Sequence, residues 1–176
     1  MARILSAQER VALAVDAQLR TISVENGYNT NVCFVERIAG VPLHREKLPA
    51  IYHWFGDGTY NTGNNANAQI EARVPLGISM GVPCERQTAQ SELEFIRSDI
   101  YKALFVGDRT QIGVSVEDGA RNLLVDIEYL GFVPSKVEES GPAVAAGLMV
   151  YAMRWPQQLS DPAKFTPADV AVEEDS

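Results

Sequence analysis

Residues 70–80 read IEARVPLGISM, and apolar and polar positions alternate through the whole stretch. Ile70, Ala72, Val74, Leu76, Ile78 and Met80 fall on one side, and Glu71, Arg73, Pro75, Gly77 and Ser79 on the other. A strand turns successive side chains to opposite faces, so this pattern predicts a strand with one buried and one wet face. Pro75 has no amide hydrogen to give a ladder, which puts the strand at a sheet edge or at a local bulge.

Upstream, AIYHWF at 50–55 is a second strand with three aromatic residues. Between the two lies GDGTYNTGNNANAQ, 56–69, rich in Gly and Asn and nearly devoid of apolar side chains. Two strands around a polar connection predict a β-hairpin. A connection of 14 residues exceeds ordinary hairpin loops, and loops of that size commonly carry function. A phosphate-gripping loop needs GxxxxGK[ST] opening into a helix, but this stretch has no lysine and leads into a strand. Asp57, Asn61 and Asn65 carry oxygens, yet the acidic series of a calcium loop is missing. The stretch therefore reads as an exposed connection able to reach a neighbour, with Asp57, Thr59, Tyr60, Asn61, Asn64 and Asn65 as candidate contact residues. No cofactor or metal ligand set is predicted.

Working outward, Ser6-Ala7-Gln8-Glu9 forms a capping box that opens a helix. Val11, Val15, Leu19 and Ile22 continue it as one apolar stripe, and Gly27 supplies a stop, giving a helix over about 6–25. NTNVCFVERI predicts a strand at 31–38, followed by a proline-bearing connection. A second helix spans 88–105, with Leu93, Ile96, Ile100 and Leu104 on its core side. Strands follow at 112–117, 121–132 and 142–155. The order α-β-β-β-α-β-β-β predicts an α+β domain with a mostly antiparallel or mixed sheet and both long helices on one face. The other face is then polar and solvated, or covered by a partner. Residues 1–156 form the domain, and 157–176, which closes with EEDS, reads as an acidic tail, mobile or docked on a partner.

Composition narrows the functional classes. The 176 residues carry a net charge of −8 with 46% hydrophobic and 22% charged residues, the profile of a globular chain. Clustered Lys and Arg, which phosphate backbones require, are absent, so tight nucleic-acid binding is not expected. No apolar run is long enough to span a bilayer, and the N-terminus lacks an unbroken apolar stretch of a signal peptide. Cys33 and Cys84 form neither a zinc motif nor a disulfide framework.

His44 and His53 are the only histidines. No GxSxG elbow accompanies them. His53, inside an aromatic strand, reads as packed or interfacial, and His44 as solvated. Glu92, Glu94 and Asp99 fall on the polar side of the second helix, and Asp126 and Glu128 on the wet side of their strand, facing water or an adjoining subunit.

The succession of ENGYNTNVCFVERI, AIYHWF, RVPLGISMGVP, SELEFIRSDIYKALF, VDIEYLGF and ESGPAVAAGLMVYAMRWP resembles the tail terminator (tail completion) proteins of long-tailed bacteriophages. The likeness covers 6–155 and rests on the order of elements, not on any catalytic motif. It implies a small α/β unit that assembles as a hexameric ring on the last ring of the tail tube. The ring would halt tube polymerisation and offer a surface to the neck or head-completion protein. A sheath protein would join the partners in a contractile tail. The resemblance further implies a virion location at the head-proximal end of the tail, assembly in the host cytoplasm, no enzymatic activity and no membrane. DNA would pass through the lumen without specific binding, helped by like charge on the wall. A neck or head–tail connector of the same virion is the nearest alternative. A small-molecule-processing enzyme and a bacterial adaptor module are the others.

Overall fold

The computed structural model describes residues 6–39, 44–62, 69–105, 111–114, 123–135 and 143–158. They form helices α1 (Ala7–Leu19) and α2 (Ala89–Leu104) and seven strands. The strands are β1 (Phe34–Arg37), β2 (Ala50–Phe55), β3 (Thr59–Thr62), β4 (Gln69–Pro83), β5 (Gln111–Val114), β6 (Leu123–Pro134) and β7 (Val144–Gln158). The sheet order is β1-β2-β4-β7-β6-β5, with β3 also on β4. β1 and β2 run parallel and every other pair is antiparallel, so the sheet is mixed and the fold α+β.

The alternating stretch lies in β4, at the centre of the sheet and not at an edge. Ala72, Val74, Leu76, Ile78, Met80 and Val82 are all buried. They share one core cluster with Val11, Val15, Leu19 and Ile22 from the first helical region, Leu93, Ile96, Ile100 and Leu104 of α2, and Met149, Tyr151, Met153 and Trp155 of β7. Full burial of each such aliphatic side chain is worth about 1.5–3 kcal/mol. α1 lies against β1 and β2 and also against β5 at the opposite margin. The twisted sheet therefore curls until both margins approach the same helix.

Several boundaries differ from the sequence reading for identifiable reasons. Ser6 caps α1 as expected, its Oγ accepting from the Glu9 amide at 3.1 Å. The helix stops at Leu19, short of 25, and the chain turns so that Ile22 still reaches the core. Gly27, with φ of 81°, closes a short 3₁₀ turn at Val24–Asn26 and not the helix itself. β7 extends to Gln158, because β4 offers pairing partners as far as Gln69. The expected tail boundary at 156/157 thus falls inside a strand, and the remainder of the expected tail lies outside the described residues. Likewise the expected strand at 112–117 is described only over Gln111–Val114.

Asp99 is the clearest correction on α2. It was assigned to the polar side but is 1% exposed. Its carboxylate accepts from the Asn29 amide to both oxygens at 3.0 Å, the Asn29 side chain at 2.9 Å and the Thr30 amide at 2.8 Å. A buried carboxylate is tolerable when donors surround it, and this one ties the 29–30 segment to α2.

Gly77 faces Trp54 across the β2–β4 pair, and a Cβ there would sit 2.6 Å from the indole ring. The absence of a side chain lets the indole lie flat over the strand. Gly77→Val should therefore destabilise the domain by about 1–3 kcal/mol through overpacking. Urea unfolding monitored by Trp fluorescence measures the change, and an unaltered midpoint would contradict this packing argument.

Candidate functional site

The 56–69 stretch was expected to be one long loop, but Thr59–Thr62 and Gln69 within it are strand. β2 pairs with β4 up to Phe55–Leu76, and β3 resumes at Thr59–Arg73. Gly56, Asp57 and Gly58 thus oppose only Val74 and Pro75, an extra residue that makes a β-bulge. The Gly56 amide donates to the Pro75 carbonyl at 2.9 Å. A residue's N–H and C=O point to the same side of a strand. The donor that Pro75 lacks would therefore have pointed at the bulge, where the ladder is already interrupted, and the pairing with β7 loses nothing. Cβ atoms at Gly56 and Gly58 would lie 2.9 Å from the Pro75 ring and 2.8 Å from the Val74 side chain. Both glycines are thus required by close approach.

Past the bulge, Thr59, Tyr60 and Thr62 favour extended backbone, and β3 carries the hairpin beyond the part of β2 that β1 covers. Asp57 is exposed within the bulge and Thr59 is exposed on the strand that follows. Tyr60 is 45% exposed and stands opposite Ala72. Asn61 pairs with Glu71 in register. Asn64 and Asn65 lie outside the described residues. The structure thus brings Asp57, Thr59, Tyr60 and Asn61 together along one arm.

The outer side of the sheet departs from the expected polar face. In its distal half, beside β3, Arg73 and Arg154 sit side by side in register, with Asp126 next to Arg154. Glu128 accepts from Arg154 at 2.6 Å and lies 3.6 Å from Arg73, so it draws the two like charges together. Asp126 and Glu128 are therefore outward-facing, as expected. Towards the other end of the strands the same side carries Trp54, Leu148, Val150 and Val133. Sequence reasoning missed this apolar half, because the β7 run is small and apolar throughout and shows no alternation to separate its faces.

Of the two histidines, His44 is exposed and His53 is 0% exposed. The Asp16 carboxylate can only accept, so His53 Nε2 donates to it at 3.1 Å. Arg20 grips the same carboxylate, Nε at 2.6 Å and Nη2 at 3.2 Å, and its Nη2 also donates to the Val35 carbonyl at 2.7 Å. The cluster pins α1 across β1 and β2. Burial pushes His53 below its ordinary pKa, outweighing the Asp16 hydrogen bond and charge that oppose it, while the Arg37 and Arg20 charges add to the lowering. Burial raises Asp16, but hydrogen bonds from Arg20 and His53, with their charges, more than offset it and leave the carboxyl below its usual value. Nδ1 of His53 is buried without a hydrogen-bond partner among the described residues, so a second proton would place an unmatched N–H there. This is a structural histidine, as the strand context indicated.

Among the described residues no group of three or more His, Cys, Asp or Glu is placed to hold a metal. No helix among them is long and apolar enough to cross a membrane. No protein-family model matches the chain, and no curated protein matches it significantly.

The lowered His53 pKa has a defined consequence for stability. The unfolded chain takes up the proton first as pH falls, so stability contributed by neutral His53 is full above the ordinary value of 6.5 and declines below it. Urea titrations at stepped pH should show a plateau above that value and a fall beneath it, and His53→Gln should flatten the slope between neutrality and the acid range governed by Asp16. A stability profile that rises on acidification would contradict the assignment.

Proposed function

We propose that this chain is a tail terminator subunit, a ring-forming virion protein that caps the head-proximal end of a phage tail tube. The sequence resemblance over 6–155 supports this reading. The hairpin arm formed by β2, β3 and β4 supports it from the structural side. The arm is stiffened by its pairing with β7, and its exposed polar residues stand where they can meet a neighbour. Both helices would then occupy the concave side of the sheet, leaving the arm and the outer side for contacts.

Termination on this reading is steric. A ring matches the tube end on one side and presents on the other a surface that no further tube subunit fits, so growth stops without a covalent step. Ring closure needs unlike surfaces on each subunit, and the polar arm and the half-apolar outer side are unlike. The net charge of −8 suits a lumen that DNA crosses without adhering. The neck or head-completion protein would bind the exposed side of the ring, and the sheath would be an added neighbour in a contractile tail. A head–tail connector would use similar contacts at the next level of the junction.

Loss of the protein separates the two. Removing it from an assembling phage should yield overlong tubes, seen by negative-stain microscopy. Tails of normal length that fail to join heads would assign the connector role instead. Within the arm, Tyr60→Ala should weaken binding to purified tube by about tenfold or more, the behaviour of an exposed aromatic contact. Unchanged tube affinity would remove the arm from the interface.

A further inference from the structure

The chain between α1 and β1 folds back on itself, and the Val32 amide closes it by donating to the Ile22 carbonyl at 3.1 Å. Inside it the 3₁₀ turn at Val24–Asn26 runs into Gly27, and Asn26–Gly27 is the one Asn-Gly step in the sequence. Asn26 is exposed. Its side-chain nitrogen donates to the Thr21 carbonyl at 2.8 Å, and the Gly27 amide donates to the Val24 carbonyl at 3.0 Å. From α2, Lys102 Nζ donates to the Gly27 carbonyl at 2.7 Å and lies 4.7 Å from the centre of the Tyr28 ring. On the same helix Asp99 holds the amides of Asn29 and Thr30. The residues that follow the Asn-Gly step are thus clamped to α2.

We infer that Asn26 is a site of spontaneous deamidation whose rate is set by the clamp from α2. An asparagine followed by glycine is the reactive case, because no Cβ crowds the nitrogen of the next peptide. That nitrogen, having given its proton to hydroxide, attacks Cγ of the asparagine. The N–Cγ bond forms, the Cγ–Nδ2 bond breaks, ammonia leaves and a cyclic succinimide remains. Water then opens the ring at either carbonyl and leaves aspartate or isoaspartate. The sum exchanges a carboxamide and a water for a carboxylate and an ammonium ion, and nothing is oxidised or reduced.

In the folded chain the two reacting groups are held apart. The Gly27 proton is held by Val24 and the Asn26 carboxamide by Thr21. Ring closure needs the peptide plane between Asn26 and Gly27 to turn until its nitrogen faces the side chain. The Val24 bond resists that rotation, and so does the Lys102 bond at the next carbonyl. Reaction therefore proceeds through local opening, and its rate follows the free energy of that opening. Neither product restores the turn. Aspartate sets an acceptor-only carboxylate against the Thr21 carbonyl, and isoaspartate lengthens the main chain by a methylene before Gly27. Each conversion records an opening of the clamp and makes it permanent. The inference is independent of the terminator reading.

Peptide mapping by mass spectrometry, after timed incubation of the full chain in buffer and in urea, tests the inference. Asn26 should convert to aspartate and isoaspartate, and faster in the unfolded than in the native chain. Lys102→Met lies at an exposed position and keeps a helix-forming side chain of similar length. It should raise the native rate about two- to tenfold, the worth of one hydrogen bond in the opening equilibrium, and leave the rate in urea unchanged. Lys102→Arg, which can still donate to the Gly27 carbonyl, should keep the slow native rate. Gly77→Val loosens the sheet and not the clamp, so it should leave the native rate as it is. An Asn26 that stays intact in urea, or that converts equally fast in native and unfolded chains, would overturn the inference. So would a native rate indifferent to Lys102→Met, or one raised as much by Gly77→Val as by Lys102→Met.

Discussion

The unbroken pairing of Gln69–Pro83 with Val144–Gln158 is the constraint on which the rest of the molecule depends. Because side chains alternate between faces, a slip of one residue would turn one of the two strands over relative to the other. Ala72, Val74, Leu76, Ile78, Met80 and Val82 hold one parity of β4, and Ala145, Met149, Tyr151, Met153 and Trp155 hold the matching parity of β7. A one-residue slip would bring either Glu71 and Arg73 or Arg154 to the core side, at a cost far beyond the stability of a small domain. The ladder thus sets where the helices pack, and by default what is left on the other side.

Irregularity is confined to the strands that flank this pair. β2 and β3 absorb their bulge at Gly56–Gly58, and β6 absorbs another between Tyr129 and Gly131, where Leu130 is half exposed. A bulge bends and twists its strand. With one on either side of a regular central pair, the sheet gains curvature without disturbing the register that the core requires. The His53–Asp16–Arg20 cluster secures α1 over one margin, and Asp99 secures the 29–30 segment to α2.

Much of this was legible in the sequence wherever one physical signal dominated. The period-two run at 70–80 announced β4 and its buried side, and the stripes through Val11–Ile22 and Leu93–Leu104 announced the helices. Pro75 announced the bulge as one of two options, and only the partner strand could choose between bulge and edge. β3 was hidden because Thr, Tyr and Asn between glycines satisfy a loop pattern equally well, and their extended conformation is stabilised by pairing with β4. Asp99 misled because its burial depends on the amides of Asn29 and Thr30, far away in sequence. The apolar outer half was invisible because Ala146, Leu148 and Val150 alternate with residues just as apolar. Of the candidate contact residues, Thr59, Tyr60 and Asn61 lie on β3 and Asp57 in the bulge before it.

The two central strands are separated in the chain by α2 and by all of β5 and β6. During synthesis β4 therefore emerges long before the segment that completes its hydrogen bonding, and its apolar side must wait with only the helices to shelter it. The domain closes last at its middle, once residue 158 has been made. A nascent chain stalled before β7 leaves the apolar side of β4 without its partner strand and so prone to aggregation.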